Sequence, residues 1–132
     1  MPIVYRVDRA LGVVFAGATG SINDDDLLDF AQKTANDPEF RSGVHELVDL
    51  RAADVTQVTS RGLRRAAEIF AAFDSGPSHA RIALVAPADV VFGLSRMYQA
   101  FRSDSPAEIG VFRELSEARV WLGLPPDVED GG

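Results

Sequence analysis

The chain contains no cysteine. That excludes disulfides and thiolate-held metal sites, and it suits a reducing cytosol. Only two histidines are present, His45 and His79. No apolar run approaches the ~18 residues that a membrane span needs. The opening MPIVYRVDRA lacks the basic region and long apolar core of a secretion signal. Positive charge is also short: 13 Lys and Arg stand against 20 Asp and Glu, a net charge of −7. Bulk electrostatics therefore oppose nucleic acid and anionic membranes. The expectation is a cytoplasmic protein with no membrane insertion and no nucleic-acid partner.

The usual catalytic signatures are missing as well. GATGS has neither the spacing nor the lysine of a phosphate-binding loop. Ser95, in FGLSRM, is outside the Gly-x-Ser-x-Gly frame of a nucleophile elbow. His45 and Asp49 share one side of a strand, which allows a weak metal or acid–base pair. A strand histidine in that setting is ordinarily structural. No nucleophile, base and stabiliser assemble, so the expectation is a non-enzyme with no cofactor and no metal.

What is present describes a globular fold. Apolar residues make up 46% and charged residues 25% of 132 residues, enough for one domain with a real core. IVYRV and GVVFAGAT read as strands joined by a short linker with Gly12, hence a hairpin. Residues 21–35 read as a helix. Asn23 or Ser21 caps it, Asp24, Asp25 and Asp26 sit in its first turn as dipole-favoured solvated charge, and Pro38 lies beyond its end. VHELVDL alternates as a strand, with Val44, Glu46 and Val48 on one side, and residues 51–58 follow as a loop.

From Thr59 the period turns helical: Leu63, Ala66, Ala67, Phe70 and Phe73 form one stripe. DSGPS closes that helix. ARIALVAP is an almost wholly apolar strand of the doubly buried kind. Asp89 caps a third helix, EIGVF is a short strand, and Ser116 caps a last helix ended by Gly123 and Pro125. The order β-β-α-β-α-β-α-β-α predicts an α/β fold, with a mostly parallel sheet after an N-terminal hairpin and helices packed on its faces. Residues 1–124 form one domain, and 125–132 read as an acidic flexible tail.

Val48-Asp49-Leu50 followed by Thr59-Ser60-Arg61-Gly62-Leu63 resembles the STAS domain of bacterial anti-sigma-factor antagonists and anion-transporter tails. There an apolar strand ends in Asp-Leu, and Asp-Ser-Ser-Gly-Leu opens a helix. Thr59 stands where that motif has Asp, and Arg61 where it has a second Ser. The resemblance places the motif's phosphorylated serine at Ser60. Over residues 2–123 the chain is more closely similar to the SpoIIAA-like group. The opening hairpin, ARIALVAP, FGLSRMYQAFR and VFRELSEARVWL carry that likeness. The group has no common activity; its fold is shared with CRAL-TRIO-type lipid-transfer domains, which implies a carrier of an apolar ligand as one role.

Two segments are candidate sites. At the first, Thr59 or Ser60 caps a helix. Alternatively Ser60, Arg61, Gly62, Arg64 and Arg65 receive an anion at the helix N-terminus, or Ser60 is phosphorylated. Arg61 and Arg65 share a face, and Arg64 and Glu68 can pair. At the second, Val90, Val91, Phe92, Leu94, Met97, Tyr98 and Phe101 cover more of a helix than one sheet face needs. Burial under neighbouring loops, a second subunit, or a hydrophobic ligand would each use that surplus. The expected role is a regulatory or protein-interaction module, self-association as a homodimer included. Its working surface is the start of the Ser60 helix, residues 51–58 and the helix after Asp89. The alternative is a carrier or sensor of a small apolar or anionic ligand.

Overall fold

The computed structural model describes residues 2–39, 44–73 and 80–125, with the Phe73 side chain excluded. His79, the DSGPS turn and tail residues 126–132 lie outside the described residues. The elements run β1 (Ile3–Asp8), β2 (Val13–Asn23), α1 (Asp24–Ala35), β3 (His45–Gln57), α2 (Ser60–Phe73), β4 (Arg81–Val85), α3 (Asp89–Phe101), β5 (Glu108–Phe112) and α4 (Leu115–Leu122). The order matches the sequence reading.

One five-stranded sheet has the order β1-β2-β3-β4-β5. The β1–β2 pair is antiparallel and the other three pairs are parallel. Gly12, at φ 68° in the hairpin, takes the left-handed conformation that a tight connection requires. Helices α1, α2 and α3 cover one face of the sheet, and α4 packs alone on β3, β4 and β5 from the other.

Strand alternation divides the core accordingly. Leu47, Ala83 and Val85 meet Ala118 and Leu122 of α4. Ala16, Ala18 and Ile22 meet Phe30 and Val91 on the three-helix side. Leu47, Val13 and Val85 are fully buried, each contributing about 1.5–3 kcal/mol of transfer free energy.

Two boundaries differ from the sequence reading, for one reason. Residues 51–57 are strand rather than loop, and Ser21 and Ile22 are strand rather than helix. The far halves of β2 and β3 pair with each other, Thr19 with Ala52 and Asn23 with Gln57, through two register shifts. Ile22 and Val55 are buried there. That pairing joins residues more than thirty positions apart, and local turn signals do not contain it.

Two caps differ too. Asp89 is the first residue of α3, after an N-cap Ala88 that makes no side-chain bond. Its carboxylate instead accepts from Arg113 at 2.9 Å. Ser116 lies inside α4, whose N-cap is Glu114, also without a side-chain bond. Gly123 ends α4 at φ 75°, as its position in the sequence suggests.

Candidate functional site

The paired ends of β2 and β3 deliver two helix N-termini side by side. Asn23 caps α1 in a reciprocal box: its side chain accepts from the Asp26 N–H, and Asp26 accepts from the Asn23 N–H, both at 2.9 Å. Thr59 caps α2, its Oγ1 accepting from the Gly62 N–H at 3.1 Å. The cap therefore belongs to Thr59, while Ser60 is exposed and makes no side-chain bond to a described residue.

The place reserved for an external anion is taken from within the chain. Asp24 Oδ1 accepts from the Thr59 N–H at 2.8 Å, and Asp24 Oδ2 from the Thr59 hydroxyl at 2.6 Å. Its carboxylate lies against Gly62 so closely that a Cβ there would collide with it. The positive end of the α2 dipole already has its negative partner. Asp24 is thus a cross-helix clamp as well as a first-turn charge. Its sequence neighbours Asp25 and Asp26 hide it, since nothing local distinguishes the three.

The arginines do not converge on this point. Arg64 lies over the Phe101 ring, 4.7 Å from its centroid, rather than pairing with Glu68. Arg65 is 3.9 Å from Glu68 with both side chains exposed, a contact of little energetic weight. Arg61 is exposed.

His45 and Asp49 share a face of β3, but three strand residues, Leu47 among them, hold them ~13 Å apart along the strand. His45 Nδ1 accepts from the Arg81 N–H at 2.9 Å. Burial of Asp49 opposes its ionisation; the Arg51 guanidinium and N–H outweigh that and hold its carboxyl below the usual range. Each residue is engaged separately. Among the described residues no group of acidic and histidine side chains could hold a metal ion, and no helix is long and apolar enough to cross a membrane.

The apolar surplus of α3 divides three ways. Val91, Leu94 and Tyr98 face inward. Phe92 and Phe101 are half-buried beneath Arg113 and Arg64. Val90 and Met97 stand outward, 63% and 38% exposed.

Behind the inward residues lies a cavity of about 120 Å³ between the sheet and α1, α2 and α3. Leu27, Val48, Leu63, Leu84 and Leu94 give it apolar walls. Glu46, Ser95 and Arg102 also line it, and all three are buried. Arg102 donates to the Tyr98 hydroxyl at 2.7 Å and to Ser105 Oγ at 3.1 Å.

Sequence reasoning did not single out this polar group, although the signals exist. Glu46 alternates in phase with Val44 and Val48, and so belongs to an apolar side of its strand. Ser95 and Arg102 each lie four residues after a helix position that faces the core, Val91 and Tyr98 respectively.

No family model matches the chain, and no curated protein matches it by sequence. Among solved structures, it is similar to an uncharacterised protein of the DUF3478 family with a SpoIIAA-like fold from Shewanella loihica. The TM-score is 0.57 at 14% identity, over 91% of this chain and 93% of that one. At that identity the likeness establishes the fold, which is SpoIIAA-like, and carries no activity with it.

Proposed function

We propose that this chain is a non-enzymatic, cytoplasmic regulatory module of the STAS-like type that carries or senses a small, largely apolar molecule. The observation supporting this reading is the cavity of about 120 Å³ beneath α3. The space is half-open and walled almost wholly by apolar side chains beneath one helix, the setting in which small apolar molecules bind. Its volume is well below the ~300–1,000 Å³ of sites for drug-sized ligands. That volume suits a body of single-ring size.

Thermal unfolding with saturating benzene or toluene tests the reading. Binding to the folded state alone raises the midpoint as ligand concentration rises. A midpoint that responds to neither probe sinks the proposal.

A protein-interaction reading is favoured by Val90 and Met97, which lie outward on the helix that lines the cavity. A partner, or a second copy, that covered them would bury apolar surface and couple partner contact to the ligand through one helix. Light scattering across a concentration series checks self-association: wild type should show mass above the monomer, and Met97→Asp should lose it. A wild-type monomer at every concentration removes the self-association form.

A further inference from the structure

We propose that the cavity selects a neutral molecule of single-ring size bearing one hydroxyl, with that hydroxyl seated against Ser95. The inference rests on the cavity being a ligand site and names the chemistry of the ligand. Size comes first: an engineered apolar cavity of ~150 Å³ in another protein takes up benzene, and this one measures about 120 Å³. The walls contributed by Leu27, Val48, Leu63, Leu84 and Val91 suit a hydrocarbon body.

Ser95 sets the head group. It is 4% exposed, it lines the cavity, and its hydroxyl makes no hydrogen bond to another described residue. A helical serine can bond to the carbonyl four residues back, and Ser95 does not. It is left able both to donate and to accept, which a ligand hydroxyl matches in either direction.

The two charged side chains in the lining favour a neutral ligand over an ion. Glu46 and Arg102 are 5% and 4% exposed and line the same cavity. Formally, one carboxyl and one guanidinium cancel. An ionic ligand would leave water and meet no net opposite charge, and that desolvation is costly.

Phenol, benzene and benzoate, titrated against the wild-type chain by calorimetry and ligand-observed NMR, form the test. A purely apolar cavity would prefer benzene, because the phenol hydroxyl must leave water. The proposal expects the reverse: phenol tighter than benzene by roughly three- to tenfold, as one made hydrogen bond supplies, and benzoate weaker than phenol. Ser95→Ala should bring phenol to the benzene level or below while leaving benzene within about twofold. Ala66→Leu, which fills the cavity, should abolish both.

Phenol no tighter than benzene in the wild type overturns the proposal, and that comparison needs no variant to fold. Benzoate as the tightest probe, or a Ser95→Ala chain that keeps the phenol preference, overturns it too. If benzene binds and phenol gains nothing, the cavity remains a ligand site and only the head-group assignment fails. If no probe binds, both fail.

Discussion

On one face of the sheet a single helix, α4, lays Ala118 and Leu122 against Leu47, Ala83 and Val85. On the other, three helices span the strands and leave about 120 Å³ between them, lined in part by Glu46, Ser95 and Arg102. The small side chains explain the first case. Ala118 is fully buried opposite Ala83, so the helix approaches the strands directly. On the second face, Leu27, Phe30 and Phe70 of α1 and α2 and Val91, Leu94 and Tyr98 of α3 line the space where the three helices meet. The single helix meets the strands through Ala118; the three helices leave a lined space where they meet over the sheet.

The largest effect should come from adding the same bulk to each face. Ala118→Leu forces three carbons into filled space and should destabilise by ~1–3 kcal/mol. Ala66→Leu puts them into the cavity and should be near neutral or stabilising. Denaturant midpoints for both variants check the contrast; equal losses would mean that the cavity is filled or collapsed in solution.

A smaller effect distinguishes the two residues at the start of α2. Thr59→Ala removes a cap and the hydroxyl bonded to Asp24, and should cost about 1–2 kcal/mol. Ser60→Ala touches no such bond and should stay within about 0.5 kcal/mol. Equal costs, read from urea unfolding, would place the cap on the wrong residue.

The smallest effect belongs to the rim of the three-helix face and needs high pH. Tyr5 donates to Asp37 Oδ2 at 2.6 Å, and this bond, then burial and the Asp37 charge, push the phenol from 10 up to about 12. The folded state therefore holds the proton more tightly than the unfolded state. The stabilisation is fully present below about pH 10 and is lost as pH rises through about 12. Wild type should lose stability over that window by more than Tyr5→Phe, and parallel pH profiles would remove the bond from the account.

Much of this was legible along the chain, and the particular elements show why. Alternation and helical period mark all nine elements in order, because a buried face repeats every two or every 3.6 residues wherever the chain is regular. The Thr59 helix start is marked for the same reason, and Gly12 and Gly123 take the left-handed conformations their positions suggested. The ends of β2 and β3 were not legible, because residues far apart in the chain supply their hydrogen bonds. Nor was the occupant of the α2 N-terminus: Asp24 reaches it from another helix, thirty-five residues earlier.

By itself, then, the sequence determined the class of fold and the presence of a capped, arginine-flanked helix with a more apolar helix after it. Only the tertiary structure decided that the first carries its own anion and that the second lines a cavity. Periodicity is a local property, recorded residue by residue. Charge neutralisation and empty volume are properties of what meets across the fold, and they depend on the spacing of whole layers.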